Sequence, residues 1–555
     1  MPVGYFLIDS LDGVSRKGLV QQCLRLLNSS GVDVEALTFD GASSNIAMAK
    51  NLGCSFDVNN LKPYFSHPTT NAKVNIMLDA CHMLKLIRNT FADWGYIKDE
   101  EGNGIKYSFI KKLFELQEST GLRLGNKLSR AHIEFKKKIM NVKLAAQIFS
   151  DSIADALEFL SNNNIPGFED SAATIKFIRT TNRIFDILNS RSRFSKGYKK
   201  PLSNENEAEL SPILSADIAY IKSLSNPKDG KSMITSNRKT GFIGFIINIE
   251  SIQQIYQRIS NYDMNYLLTY KLSQDHLEMF FGKIRRQGGW NNNPTAMQFR
   301  SAFKKLLVHN EVSEAMRGNC MPLEELKILS VTSKKSSKAS LASKRFIREI
   351  NGTSLRNNLL DDYEDEEQFE LDEEVDINLT TEFSMYDMYY KNVVSYIAGF
   401  VVSKLLKRLK CQECCSVLED NEPNVAYKRH FNFISRKNKG GLRYPSKDVV
   451  NICLSAEKNF KANTDNHPVI NIEKLTRLTA LSFIGCDIFS SLDSHNIESD
   501  DILNCHVPLL LKAIASCYIE CRTIHATKSR NLSMENRKIQ CSRQMSNKLI
   551  LFTGN

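Results

Sequence analysis

The first 110 or so residues alternate short apolar runs with amphipathic stretches. The apolar run VGYFLI, at positions 3–8, predicts a buried strand, and a helix is expected over Lys17–Asn28, ahead of a Ser-Ser-Gly stop. VDVEALTFDGASSN predicts a second strand that ends at Asp40, and VNIMLDACHM predicts a third that runs from Val74 to about Asp79. Strand, helix, strand, helix, strand indicates an α/β segment with a sheet covered by helices.

Asp40 and Asp79 both stand at predicted strand ends. Functional carboxylates in α/β sheets tend to lie there, where the backbone turns and solvent begins. An aspartate that only forms a turn is the alternative interpretation of either residue.

From about residue 110 to 265 the pattern changes to long amphipathic helices, such as the one that begins at Lys143. The segment TGFIGFIINIESIQQIYQRI, residues 240–259, could begin as a strand or be wholly helical, because its periodicity fits both. No GxxxxGK[ST] loop occurs in this block, which argues against a P-loop fold.

Residues 268–307 combine apolar, acidic and basic positions. A helical period places Asp275 and Glu278 on one side of the first turn, which is the pattern of a metal site and also of a helix capping box. The apolar positions of the same helix are Leu277, Phe280, Phe281 and Ile284. Three basic residues follow that could contact DNA phosphates: Lys283, Arg285 and Arg286.

Composition narrows the class of protein. With 555 residues, 42% apolar and 24% charged, the chain has material for about three or four globular domains. The net charge is +11 even though Asp361–Asp376 is strongly acidic, which favours a polyanionic partner such as nucleic acid, although generic solubility charge would look the same. Three features predict a reduced, soluble intracellular protein without a membrane partner. The 13 cysteines are irregularly spaced, the N-terminus does not resemble a signal peptide, and there is no long apolar run.

The last part of the chain contains a linker and a helical region. Residues 313–380 carry a basic run at 333–345, a candidate nuclear import signal or a solvated tether, followed by the acidic stretch. In the helical region Cys411 and Cys414 form a CxxC pair, with His506 and His525 far downstream. Zinc binding by these residues is one interpretation, and inert, partly buried thiols are the other.

Four segments carry a resemblance to a known family: LTFDGASSN, LDACHMLKLIRNTF, SQDHLEMFFGKIRRQGGWNNNPTAMQF and YIAGFVVSKLLKRLKCQECC. In order and content they resemble P element transposases and the THAP-domain transposase-like proteins. The resemblance implies an α/β RNase H-like core interrupted by an all-α, GTP-binding insertion domain and followed by a helical C-terminal domain. We therefore expect core at 1–112 and 266–312, the insertion at 113–265, a linker at 313–380, the C-terminal domain at 381–535 and a tail at 536–555.

The resemblance also implies site residues. Three carboxylates of the family hold two divalent metals, Mg²⁺ or Mn²⁺; the second matches Asp40 and the third matches Glu278, and Asp275 becomes a guanine or ribose contact. The run FDILN resembles the family's nucleotide motif, so Phe185 would stack on the base while Asp186 and Asn189 would hydrogen-bond to it. Core packing is the alternative for Phe185, and Lys143 is a candidate phosphate contact.

The chain also departs from the family pattern. By the family pattern we expect this chain to lack the strand that carries the first catalytic carboxylate and the zinc-coordinating THAP domain, and a gene model that starts too late would give the same sequence. We therefore expect a nuclear, P element-like DNA transposase that is inactive as this chain, with double-stranded DNA and a guanine nucleotide as partners and a second copy of the chain as a further candidate. The alternative is a domesticated or relic host protein that binds nucleotide, DNA or protein without catalysis.

Overall fold

The computed structural model describes residues 3–8, 10–227, 230–262, 264–287, 291, 293–308, 382–420, 428–466, 471–492 and 506–544, the last of these by backbone alone from residue 527. The predicted linker at 313–380, with its basic and acidic runs, lies outside these residues. The chain divides into two compact units. The first unit takes Met1–Leu116, Gly125–Ser161 and Pro166–Ser330, and the second takes Gln117–Leu124, Asn162–Ile165 and Val331–Asn555. The predicted core and most of the predicted insertion therefore share the first unit.

The first unit begins with the predicted alternation of strands and helices. Its first elements are α1 (Gly13–Ser29), β1 (Ala36–Phe39), α2 (Ser43–Leu52), β2 (Tyr64–Ser66), β3 (Lys73–Leu78) and α3 (Ala80–Trp94). The sheet order is β1-β3-β2, with β1 parallel and β2 antiparallel to β3. All residues of β3 after Lys73 are buried, as expected for a central strand with both faces covered.

The predicted strand at residues 3–8 is wrong. These residues form no strand, and Phe6 and Leu7 are 54% and 59% exposed. Among the described residues β1 pairs only with β3, and residues 3–8 form no ladder of hydrogen bonds with its other edge. Tyr5 instead packs its ring edge-on against Phe299 and Phe303, with centroids 5.0 and 4.6 Å away.

The middle of the first unit is mainly helical, as predicted. Its elements are β4 (Tyr96–Lys98), β5 (Gly104–Lys106), α4 (Ser108–Thr120), α5 (Arg130–Ile133), α6 (Val142–Ile148), α7 (Asp151–Asn162), α8 (Ala172–Leu188), β6 (Leu202–Ser203), α9 (Glu207–Ser223), α10 (Thr240–Ile259) and β7 (Tyr266–Leu267). Buried aromatic rings join these helices to α3: Phe91 contacts Phe149 and Phe177 at centroid distances of 6.3 and 5.2 Å.

The segment whose periodicity left strand and helix open is helix α10. Its polar side chains lie along the edge of β3 beyond the short strand β2. Asn248 forms two hydrogen bonds with Leu78, accepting from its N–H at 2.8 Å and donating to its C=O at 2.6 Å. One turn later Ser251 donates to the carbonyl of Ile76 at 2.8 Å. Because β2 ends before these positions, the helix satisfies backbone groups that a neighbouring strand would otherwise satisfy.

The described part of the first unit ends with the predicted helix α11 (Asp275–Gln287) and a second helix, α12 (Ala296–Val308). Of the predicted apolar face of α11, Ile284 is buried, whereas Leu277 is 49% exposed. Phe280 meets Phe303 of α12 at a centroid distance of 5.7 Å.

The second unit is helical in its described part. Its main elements are α13 (Glu382–Leu406), α14 (Gln412–Ser416), α15 (Asn432–Lys437), α16 (Lys447–Asn466), α17 (Ile472–Leu481) and α18 (His506–Gln544). A buried ion pair joins α16 to α18, where Arg522 donates to both carboxylate oxygens of Glu457 at 2.6 and 2.9 Å. Tyr518 donates to the same carboxylate at 2.9 Å. No described helix meets the length and apolarity that crossing a membrane requires.

Candidate functional site

The carboxyl ends of β1 and β3 are tied to the start of α11 by hydrogen bonds. The N–H of Asp79 donates to the carbonyl of Phe39 at 2.9 Å, and Oδ1 of Asp79 accepts from the N–H of Gln274 at 3.2 Å. Thr38 of β1 donates its hydroxyl to the carbonyl of Leu272 at 3.0 Å. Residues nearly two hundred positions apart in the chain are thereby fixed at one end of the sheet.

Asp40 follows β1 directly and is held in a defined orientation. Its Oδ1 accepts from the N–H of Ala42 at 3.1 Å and from Nδ2 of Asn45 at 2.7 Å. Asn45 in turn accepts from the guanidinium of Arg16 at 2.8 Å. Both hydrogen bonds reach the same oxygen of Asp40 and fix the orientation of its carboxylate. Neighbouring groups orient the ligands of metal sites in the same way.

Asp79 is buried and caps helix α3. Its Oδ2 accepts from the N–H of His82 at 2.9 Å, so backbone donors engage both of its oxygens. Burial raises the pKa of Asp79, and the nearby carboxylates of Asp275 and Glu278 raise it further. Asp79 therefore acts as a structural link at the strand end.

His82 lies where the charges of Asp40 and Glu278 both act. Burial and then Lys85 lower the pKa of His82, while Asp40 and Glu278 raise it. His82 is half-buried and Glu278, in the first turn of α11, is exposed. The fold thus brings both predicted metal carboxylates to the surroundings of one histidine.

Asp275 differs from Glu278 in its surroundings. It is buried, and its Oδ2 accepts from Arg191 at 3.1 Å. Arg191 also donates to Oδ1 of Asn189 at 3.2 Å and lies 4.3 Å from the ring centroid of Tyr270. Arg191 thus links two of the predicted nucleotide contacts, and no sequence pattern points to it, because it lies in a loop after α8.

The other predicted nucleotide residues lie on α6 and α8. Phe185 is 7% exposed and belongs to the core, which agrees with the packing alternative. Asp186 is half-buried, with Lys199 at 3.8 Å and Asn182 at 3.5 Å. Lys143 is exposed in the first turn of α6. A nucleotide contact by Asp275, Asp186 or Asn189 would require the nucleotide to join or displace these protein partners.

The predicted DNA contacts differ in exposure. Arg285 is exposed on α11, whereas Lys283 and Arg286 are half-buried. Burial lowers the pKa of Lys283, and the neighbouring charge of Arg286 lowers it further. Arg285 is therefore the residue of the three that is best placed to meet a phosphate.

In the second unit, the structure brings Cys411, Cys414 and His506 together. Their ligand atoms all lie within 4.8 Å of one another, with Sγ of Cys414 3.4 Å from Nδ1 of His506. Within the described residues this is the one group of three or more His, Cys, Asp or Glu side chains whose ligand atoms lie so near to one another. Asp40 and Glu278 therefore do not share so tight a cluster with a third such side chain of the described chain.

Four family models match separate parts of the sequence. They are "TNP-like, RNase H N-terminal domain" at residues 1–53, "TNP-like, GTP-binding insertion domain" at 81–201, "TNP-like, RNase H C-terminal domain" at 270–304 and "DNA transposase THAP9, C-terminal domain" at 384–528. Their order along the chain is that of a core, an insertion, the rest of the core and a C-terminal domain.

Two curated relatives are similar over most of the chain. The human DNA transposase THAP9 is 28% identical over 538 residues, which are 94% of this chain and 57% of that protein. The Drosophila melanogaster transposable element P transposase is 26% identical over 460 residues, 80% of this chain and 53% of the relative. The chain therefore spans about half the length of the curated relatives it matches. A solved structure, the Drosophila P element transposase strand transfer complex, is similar with a TM-score of 0.46 and 27% identity over 54% of this chain and 65% of that one.

The matched segments indicate an RNase H-like core with helical regions. Along them the chain is similar to P element transposases and THAP-domain transposase-like proteins.

Proposed function

We propose that this protein acts in DNA transposition, with metal-dependent cleavage and joining of phosphodiesters at the end of the sheet that carries Asp40 and Glu278. The observation that carries the proposal is the junction of β1, β3 and α11, where hydrogen bonds tie the strand end that leads to Asp40 to the start of the helix that carries Glu278. Transposition would place the protein on genomic DNA in the nucleus.

The side chains at this junction fit a hard divalent cation. Asp40 is oriented by Asn45 and the backbone, Glu278 is exposed, and oxygen ligands of this kind suit Mg²⁺ or Mn²⁺. When bound, such ions activate an attacking oxygen and stabilise the leaving one in an in-line displacement at phosphorus. Asp40 and Glu278 would hold the metal, and Asp79 would keep the strand end in place.

The remaining parts of the proposal concern the nucleotide and the DNA. GTP would bind the insertion and organise assembly, with Asp186 and Asn189 at the base, Phe185 beside it and Lys143 at a phosphate. Arg285, with Lys283 and Arg286, would contact the DNA backbone without reading its sequence. A second copy of the chain is a candidate partner in that assembly.

A second function is favoured by one observation. Asp40 and Glu278 do not form a tight cluster with a third His, Cys, Asp or Glu side chain among the described residues. A domesticated protein that binds DNA and guanine nucleotide without cleaving would need no such cluster.

Nicking of labelled duplex DNA decides between the two functions. When the chain is joined to the strand that carries the family's first catalytic carboxylate, Asp40→Asn and Glu278→Gln should each lower Mg²⁺-dependent nicking by at least about a hundredfold, since a metal contributes several kcal/mol to the transition state. Asp33→Asn is the matched control, because Asp33 is an exposed carboxylate before the other end of β1. Nicking that persists in both variants would refute the site, and salt-sensitive DNA binding without nicking by the chain joined to that strand would favour the second function.

A further inference from the structure

Cys411, Cys414 and His506 come from two separate elements of the second unit. Cys411 is the residue before α14, Cys414 is one turn later on that helix, and His506 is the first residue of α18. A CxxC pair in this position places both sulfurs on one side of a short helix. The histidine that joins them is more than ninety residues away in the chain, so the fold and not the spacing brings the three groups together.

We propose that these three residues form a zinc site that joins α14 to the first turn of α18. Two thiolates and an imidazole are ligands that Zn²⁺ prefers, and Mg²⁺ or Ca²⁺, which bind oxygen, would not compete for them. The site is chemically distinct from the carboxylates of the first unit. Its existence does not depend on the proposed transposase activity.

The geometry of the three side chains supports metal binding over chance packing. Sγ of Cys414 lies 3.4 Å from Nδ1 of His506, which fits two ligands bound at about 2.0–2.3 Å to one tetrahedral ion. All three ligand atoms lie within 4.8 Å of one another, so Cys411 needs only a small movement to join them. Cys414 is fully buried, and Cys411 and His506 are half-buried. An ion held here would be shielded on the Cys414 side and reachable from the other two ligands.

Binding of the ion requires two protons to leave. Zn²⁺ is held by thiolates, so the reaction of Cys411 and Cys414 with Zn²⁺ releases one proton from each thiol and changes no oxidation state. The neutral imidazole supplies the third ligand. A water or a further side chain completes a tetrahedral site, and the role is structural, because the ion would fix a five-residue helix that is too short to be stable alone.

The neighbouring residues provide matched controls. Cys415 is adjacent to Cys414, half-buried, and its Sγ lies 4.0 Å from the carbonyl of Leu409. His525 is on the same helix as His506 but about 28 Å along its axis, from a rise of about 1.5 Å per residue. Neither residue should contribute to the ion.

Metal content is measured by mass spectrometry on the untagged full chain, purified under reducing conditions and dialysed against Zn²⁺ and then metal-free buffer. We expect about one zinc per chain in the parent, Cys415→Ser and His525→Ala proteins, and a loss of at least tenfold in Cys411→Ser and His506→Ala. X-ray absorption of the bound zinc should show sulfur ligands at about 2.3 Å. Zinc that stays bound in both ligand variants, a parent chain without zinc, or a zinc spectrum without sulfur would overturn the proposal.

Misfolding of a variant is distinguished by a ligand exchange. Cys411→His and His506→Cys keep a zinc ligand in place and should restore the ion and the thermal stability that Cys411→Ser and His506→Ala lose. In the parent chain, a chelator should lower the melting temperature and expose additional thiols to a thiol reagent, and added Zn²⁺ should reverse both changes. A melting temperature that does not respond to chelator or Zn²⁺ would also count against the site.

Discussion

Substitution of Asn248 by leucine tests whether helix α10 closes the edge of the sheet. The side chain of Asn248 is fully buried and satisfies both the N–H and the C=O of Leu78. Leucine has a similar shape but offers neither a donor nor an acceptor. Two buried backbone groups would lose their partners, and each unsatisfied group costs about 1–3 kcal/mol. The expected loss in the free energy of unfolding is therefore about 2–6 kcal/mol, with the lower half favoured because leucine adds apolar burial.

Ser251→Ala is the matched control on the same helix. It removes one donor from the carbonyl of Ile76, so the expected loss is about 1 kcal/mol. The assay is urea unfolding of the full chain, together with mass-spectrometric hydrogen exchange of the peptide that contains β3. Exchange at this peptide should rise strongly in Asn248→Leu and weakly in Ser251→Ala. Equal losses in the two variants, or unchanged exchange in Asn248→Leu, would refute the reasoning.

Three further predictions concern the site residues. Asp186→Ala should weaken GTP binding by about ten- to a hundredfold, because hydrogen bonds to a charged group are lost. Titration calorimetry measures the affinity, and Asp170→Ala, at an exposed position, is the control. Equal GTP affinities of the Asp186→Ala and parent proteins would refute the nucleotide site. Arg285→Ala should reduce the slope of log affinity for DNA against log salt by about one, and an unchanged slope would exclude a phosphate contact. Glu278→Gln should raise the melting temperature in metal-free buffer at neutral pH. Burial raises the pKa of Asp79 and the charge of Glu278 raises it further, so ionised Asp79 destabilises the folded state at neutral pH, and Glu278→Gln removes part of that repulsion. The stability that Asp79 contributes is present at low pH and is lost as pH rises through its raised pKa. A lower melting temperature in the variant would contradict this reasoning.

The elements that the sequence predicted well are those whose signal is local. β1 and β3 coincide with predicted apolar runs that end in aspartate, and α11 begins at the predicted acidic turn. These elements could be predicted because strand and helix periods repeat within a few residues. The run at residues 3–8 has the same apolar signal, but a strand also needs a partner, and pairing is not encoded in one segment alone.

The site could be predicted only in part for a similar reason. The strand ends identified Asp40 and Asp79, and the family resemblance identified Glu278, yet nothing in the spacing pointed to Arg191 as the partner of Asp275. The sequence offers both His506 and His525 as partners of the CxxC pair, but it cannot choose between them, since a gap of about ninety residues carries no geometric information. Contacts of this kind arise from tertiary packing between distant parts of the chain, which local sequence patterns do not encode.

Helix α10 has a consequence for how this protein can be dissected. In the sequence, α10 lies between the two halves of the RNase H-like core. Its amide and hydroxyl side chains nevertheless hydrogen-bond to the backbone of β3, as a neighbouring strand would. Deleting the whole stretch would leave the backbone groups of Ile76 and Leu78 without these partners, close to Asp40 and Asp79. Trimming should stop before Thr240, so that the last helix stays with the core.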